Sequence, residues 1–301
     1  MRTTTELMLN ALRARTVIPG FNIGYVPMMQ PVIHALRDMR CFGLVMVARL
    51  EWTKFEAKSL GAIREEYERV KDERYTRLHL DHVPVIDEDN LHVDYQAILG
   101  QAVELGYDSI MIDGSRLPLA ENIAATRGIV EMAHRAGAAV EAELGAVMGH
   151  EAGPLPPYEE LFASGKGFTD PDEARRFVEQ TGVDWLSIAI GSIHGAIVPG
   201  KKDQEKIQAR LNIDHLKKIH QAVNIPLVLH GGTGIPKSYI MQSIREGIAK
   251  INIATAIRQP FERLRSQSLV KALDAVYDTT VSLINELDVR RSAAIIDPEE
   301  P

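Results

Sequence analysis

The chain has 301 residues, 45% hydrophobic and 25% charged, the make-up of an ordinary globular protein. Its formal net charge is −7 with no block of Lys or Arg, which argues against nucleic-acid binding, where phosphate must be met by basic surface. A single cysteine, Cys41, excludes internal disulfides and fits a reducing compartment. No run reaches the roughly 18 apolar residues of a membrane helix, and "MRTTTELMLNALRAR" lacks the apolar core of a signal peptide. The expectation is a soluble cytoplasmic protein that acts on small molecules, with neither nucleic acid nor membrane as partner.

In chain order, β-type runs fall at "VIPGFNIG" (17–24), "FGLVMVA" (42–48), "RLHLDH" (77–82), "SIMIDG" (109–114), "AAVEAELG" (138–145), "WLSIAIG" (185–191), "PLVLHG" (226–231) and "KINIAT" (250–255). They are almost continuously apolar, as parallel strands covered on both faces must be. Helical patterns lie between them, several starting after Asp or Pro and ending at Gly. Eight such alternations predict an α/β chain, a single (β/α)8 TIM barrel over residues 1–301. The stretch 52–77 is highly charged and reads as a solvated helix. A Gly- and Pro-rich loop, about 146–168, is long enough to act as a lid. A helical tail is expected over about 257–301, its last segment "SAAIIDPEEP" frayed.

In a barrel of this kind chemistry belongs at the C-terminal strand ends. Those ends read Asn22, Arg49, Asp81 with His82, Asp113, Glu143, Gly191 to His194, His230 and Asn252. Nearly every one is a polar or catalytic residue type, which marks an active site. His34, His134, His215 and His220 fall within helical patterns and read as surface or packing residues. His82, His194 and His230 close the third, sixth and seventh runs. Three imidazoles at one barrel mouth suit Zn2+ with a position left for substrate, and Glu143 is a fourth or alternative ligand. In "LHGGTGIP" (229–236) the glycines Gly231, Gly232 and Gly234 precede a helix, where backbone N–H groups can approach an anion.

The motifs "HLDH", "IMIDGSRLPLAENI", "VEAELG", "FTDPDEARRFVEQTGVD", "AIGSIHG", "PLVLHGGTGIP" and "GIAKINIAT" occur in that order. Together they resemble the class II, zinc-dependent ketose-bisphosphate aldolases of the fructose and tagatose bisphosphate type, over roughly residues 17 to 265. The resemblance implies His82, His194 and His230 as metal ligands, with Glu143 the alternative when the metal shifts. It implies Asp81 as the group exchanging the proton of the hydroxyl beside the breaking bond. Glu151 would be the lid carboxylate that moves the carbon-bound proton, and Asn252 would sit beside the enediolate. Gly195, Gly231, Gly232, Thr233 and Thr255 would hold a phosphate, with Asn22 also in the substrate site. The implied cofactor is Zn2+ or another divalent metal, with room for a monovalent cation, and the implied assembly is a homodimer or homotetramer.

The chain departs from this pattern on the side away from the metal. The lid reads "MGHEAG", with His150 and Ala152 flanking Glu151, and Ile197 and Val198 follow "IHG". Ala254 resembles the tagatose type. After the second strand, "ARLEWTKFE" replaces a small Gly-rich turn and brings Arg49 and Glu51 to the mouth. An arginine there can clamp a carboxylate or phosphate, so Arg49 is expected to read an anionic or polar group on the aldehyde half. The competing role is a salt bridge to Glu51 or the lid. The resulting expectation is a metal-dependent aldolase that splits a phosphorylated ketose into dihydroxyacetone phosphate and an aldehyde. A metal-dependent isomerase or epimerase, and a non-catalytic sugar-phosphate-binding relative, are the alternatives. Because neighbours on a strand face opposite ways, the chain must bend for Asp81 and His82 to share a substrate. His79, deeper in the strand, is expected to support by hydrogen bonding and not to ligate.

Overall fold

The β-rich runs form eight parallel strands: β1 (Ile18–Asn22), β2 (Gly43–Ala48), β3 (Thr76–Pro84), β4 (Ser109–Asp113), β5 (Ala139–Leu144), β6 (Trp185–Ile188), β7 (Leu227–Leu229) and β8 (Ile248–Ile253). They pair in chain order, and β8 closes onto β1 through Ile18–Phe21, giving a closed (β/α)8 barrel. The computed structural model describes residues 2–145, 158–192, 209–231 and 234–298.

The two-residue period of the strands sorts the side chains. Outward-facing Val45, Leu78, Leu80, Ile110, Ile112, Val140, Leu186 and Leu229 are buried against the surrounding helices. Inward positions near the N-terminal end, among them Ile18, Leu44, Met46, Ala139, Trp185 and Val228, form a separate apolar floor. One step higher the inward positions turn polar, with His79, Glu141 and Lys250 fully buried. The next step carries Asp81, Glu143, His230 and Asn252. The barrel is thus apolar below and ionisable above, and the site sits on the ionisable layers.

The floor is plugged from beneath by Leu7, Met8 and Ala11 of the helix Thr4–Arg13. That helix is started by a capping box in which Thr3 and Glu6 satisfy each other's backbone N–H groups. Of the C-terminal segment expected to fray, the described part, residues 292–298, is held in place. It forms the short helix Ala293–Ile296, whose Ala293 and Ile296 enter the same floor cluster. Asn10 Nδ2 donates to the Ile296 carbonyl at 2.9 Å, and Arg2 pairs with Asp297. The spacing of these two apolar residues puts both on one face of the helical turn, so the segment closes the barrel bottom.

Within the charged stretch 52–77 the helix Leu60–Val70 buries Leu60, Ile63 and Tyr67 and turns its remaining face outward. Of the stretch expected to be a lid, residues Tyr158–Ser164 are helical, and the buried Tyr158 donates its hydroxyl to the Gly191 carbonyl at 3.0 Å. Residues 146–157, with Glu151, His150 and Ala152, lie outside the described residues. Among the described residues no helix is long and apolar enough to cross a membrane. Because Ile296 is fully buried under the barrel, we expect Ile296→Ala to lower unfolding free energy by about 2–5 kcal/mol, measured by chemical denaturation.

Candidate active site

Asp81 and His82 are consecutive, yet both turn to the barrel mouth. β3 stays in register with β2 as far as the pair Ala48↔Asp81, but its pairing with β4 jumps between Leu80 and Val83. His82 adopts a φ of 26°, which L residues rarely take. This bulge spends an extra residue to re-aim a side chain, and it brings two neighbours to one site.

His82 then meets His230, the residue after β7, with 2.7 Å between His82 Nε2 and His230 Nδ1. Each imidazole is oriented from its other nitrogen. His82 Nδ1 lies 3.3 Å from Asp113 Oδ2, and His230 Nε2 lies 2.9 Å from Glu141 Oε1. Imidazoles backed in this way by carboxylates are the usual preparation for holding a metal. Asp113 is itself fixed by the Ser115 hydroxyl at 2.6 Å. Glu143 completes the cluster, with Oε2 at 3.5 Å from His230 Nδ1 and 3.8 Å from His82 Nδ1. Ser187 donates to the same Glu143 oxygen at 3.3 Å.

The electrostatics follow from burial and crowding of like charge. Burial disfavours protonated His82, yet Asp81, Asp113 and Glu143 outweigh it and pull its pKa up to about 10. Burial and repulsion by Asp113 push Glu143 up to about 8. His230 moves down, through burial and the charge of His82. Three carboxyl groups, of Asp81, Asp113 and Glu143, thus crowd around the two imidazoles, and Glu143 is raised by its neighbour Asp113. Convergent imidazole nitrogens with spare carboxylates fit a divalent cation, which supplies positive charge. Metal-capable groups occur as Asp81–His82–His230, His82–Asp113–Glu143 and His79–Asp81–Glu141, each with its donor atoms within 4.8 Å of one another.

Asp81 is buried and held from two sides. Asn22 Nδ2 donates to Oδ2 and Asn252 Nδ2 to Oδ1, both at 2.9 Å. Burial opposes its ionisation, but His82, Lys250 and His230 keep its carboxyl well below the usual carboxylate range. His79, fully buried, shares a 2.8 Å hydrogen bond with Ser109 through Nδ1. Burial drives its pKa down to about 3, so it stays neutral.

Other expected residues divide by position. Thr255 begins the helix Thr255–Leu264 after β8, and Gly231 follows His230 with a φ of 71°. His194, Gly195, Gly232 and Thr233 lie outside the described residues, so the third histidine and most of the phosphate set are not placed. Arg49 is the first residue of the helix Arg49–Thr53, directly after β2, and among the described residues its ion-pair partner is Asp87 at 3.5 Å, not Glu51. Glu51 is buried and accepts the Ala48 N–H, closing the turn from strand to helix. Sequence reasoning did not single out Asp113 as the partner of His82, nor Glu141 and Lys250 beneath the site. The signal for the last two was the strand period: each lies two residues before a singled-out position, Glu143 or Asn252.

Residues 2–290 match the family model described as Fructose-bisphosphate aldolase class-II. The chain belongs to the class II fructose-bisphosphate aldolase family. Among solved structures it is similar to the YdjI aldolase from Escherichia coli K12, at 26% identity and a TM-score of 0.75, covering 96% of this chain and 98% of that one. It is also similar to the fructose-bisphosphate aldolase (Fba) from Campylobacter jejuni, at 17% identity and a TM-score of 0.71, covering 95% and 94%. That second likeness speaks to the fold alone. This class II aldolase is therefore an enzyme, a carbon–carbon lyase, of a class that generally depends on a metal.

Burial and the nearby Asp81 push Glu51 up to about 8, against an ordinary value of 4.5. Between those values the folded chain keeps a proton that the unfolded chain releases, so stability falls as pH rises. Glu51→Gln keeps an acceptor for the Ala48 N–H and removes the titration. In the metal-free protein its thermal midpoint should gain on the wild type between about pH 5 and pH 8. A constant difference across that range would contradict the burial of an ionisable Glu51.

Proposed function

We propose that this aldolase reversibly cleaves a phosphorylated ketose, of the fructose or tagatose 1,6-bisphosphate type or a related ketose phosphate, into dihydroxyacetone phosphate and an aldehyde. The observation that carries this reading is Asp81, an ionised carboxylate gripped by two asparagines directly beside the His82–His230–Glu143 cluster.

His82 through Nε2, His230 through Nδ1 and Glu143 would hold the divalent cation, for which Zn2+ is our choice, with His194 as the third imidazole. When bound, it supplies Lewis-acid stabilisation of the negative charge that develops on the ketose oxygens as the carbon–carbon bond opens. Asp81 takes the proton of the hydroxyl on the carbon that becomes the aldehyde, and returns it in the condensation direction. Asn22 and Asn252 occupy one site on each carboxylate oxygen, which fixes the carboxylate and leaves lone pairs for that proton. Asn252 Oδ1 is buried and has no hydrogen-bond partner among the described residues, which leaves an acceptor for a substrate hydroxyl. Glu151 is our choice for the group moving the proton on the carbon of the dihydroxyacetone phosphate half, from the other side. Gly231 and Thr255, with Gly195, Gly232 and Thr233, are the phosphate contacts in this reading. Phosphorylated sugar is the partner, and a homodimer or homotetramer in the cytoplasm is the expected setting.

Zinc-loaded protein, incubated with dihydroxyacetone phosphate and a panel of aldehydes, should form a new carbon–carbon bond, and a chelator should abolish the product. Asp81→Asn keeps the side chain's size and an acceptor for one of the two asparagines but removes the base, and kcat should fall by about 100-fold or more. The absence of condensation with every aldehyde, together with no exchange of a carbon-bound proton of dihydroxyacetone phosphate with solvent, would sink the reading. Arg49 is proposed to read the far, aldehyde half of the substrate. Arg49→Ala should lower kcat/KM for the true ketose while sparing proton exchange on dihydroxyacetone phosphate alone; an unchanged kcat/KM would exclude the role.

A further inference from the structure

The mechanism above uses neither Glu141 nor Lys250, yet both are fully buried inside the barrel, one layer below the candidate metal centre. Glu141 is committed at both oxygens. Its Oε1 accepts from His230 Nε2 at 2.9 Å. Its Oε2 accepts the Trp185 indole N–H at 2.6 Å and the Lys250 ammonium at 2.7 Å. The same ammonium lies 3.9 Å from Asp81 Oδ1. His79 Nε2 approaches Glu141 Oε2 to 3.6 Å and Asp81 Oδ1 to 3.8 Å without a hydrogen bond. His79, Asp81 and Glu141 on their own form one of the metal-capable groups, and the Lys250 ammonium stands against two of its three members. The stem of Lys250 reaches this position past Gly20, where an added Cβ would collide with Met46 and lie 3.5 Å from Lys250 Cε.

We propose that Lys250 and Glu141 are positioning residues that fix His230 for metal binding, with Lys250 serving as the resident cation of the lower layer. A carboxylate accepts only, so Glu141 requires the hydrogen on His230 Nε2 and leaves Nδ1 as the nitrogen that can ligate. Lys250 keeps that carboxylate ionised and in place, and spares Asp81 from being the partner of a lone buried charge. The lysine is thereby a structural cation, its ammonium engaged by a carboxylate and not offered to a ketone carbon. A glutamine at 141 could donate to His230 Nε2, which would move the hydrogen to Nδ1, the nitrogen the metal needs.

The proposal rests on the reading of His230 as a ligand. Its test measures zinc affinity by competition with a chromogenic chelator, the absorption spectrum of the cobalt(II)-loaded protein, and the thermal midpoint of the metal-free protein. Glu141→Gln should weaken zinc binding about 10- to 100-fold and change the cobalt spectrum. Lys250→Met should lower the metal-free midpoint by stranding a buried carboxylate. The double variant E141Q/K250M removes both charges together, so its metal-free midpoint should recover toward the wild type while zinc affinity stays low. A merely structural pair would restore both. Zinc affinity of the wild-type level in the double variant, with an unchanged cobalt spectrum, would overturn the proposal and leave the aldolase reading intact. A wild type that binds no divalent ion would overturn both. Should Glu141→Gln fail to fold, the double variant decides alone.

Discussion

The bend of β3 at Asp81 and His82 is the constraint on which the site depends. A regular strand would send one of these residues into the barrel and the other among the helices, where Leu78 and Leu80 already pack. His82 could not then reach His230, and the imidazole pair would not exist. The φ of 26° at His82 is a conformation that costs of order 1–3 kcal/mol for a non-glycine residue. Two features hold it there: the shifted pairing of β3 with β4, and the contact of His82 with Asp113 at the end of β4. One irregular residue therefore turns two chain neighbours, Asp81 and His82, to the same barrel mouth.

The polar layers above the floor exact a second cost, because charged groups lose hydration when buried. The chain meets it by distributing roles among chemically similar groups. Asp81 stays ionised because His82, Lys250 and His230 surround it. Glu141 also falls, to about 2, since Lys250 and His230 outweigh its burial. Glu143 and Glu51 move up to about 8, because burial and a neighbouring carboxylate, Asp113 for Glu143 and Asp81 for Glu51, outweigh the attraction of His82. The same side-chain type thus becomes a fixed anion at one position and a protonatable group two residues later. Environment makes the distinction, not residue identity.

This explains what the sequence could and could not show. Apolar runs ending in polar residues revealed the strands and their functional ends, and the parallel topology then placed Asn22, Asp81, Glu143, His230 and Asn252 at one mouth. Even the bend at Asp81 and His82 could be inferred, because two neighbours were required in one place. Glu141 and Lys250 were less visible, since a charged residue inside a strand reads as solvent-facing until its phase relative to Glu143 or Asn252 is checked. The pairing of His82 with Asp113 depends on where two strands align, which no local pattern states. "SAAIIDPEEP" looked frayed because of its charged, proline-rich end, although Ala293 and Ile296 before it share one buried face.

The turn after β2 builds one edge of the barrel mouth. In place of a small Gly-rich turn, the chain starts the helix Arg49–Thr53 directly from the strand end, with Glu51 closing back onto the Ala48 N–H. That closure holds Arg49 at the edge of the mouth, where it faces Asp87 at 3.5 Å. Asp87 is already engaged through its other oxygen, which accepts the backbone N–H groups of Asp89 and Leu91. It therefore remains in place whether or not Arg49 leaves it. A partly exposed ion pair of this length is worth about 0–1 kcal/mol, whereas a carboxylate or phosphate can take a guanidinium in two parallel bonds. In the role proposed for Arg49, a substrate anion would compete with Asp87 at little cost to the fold.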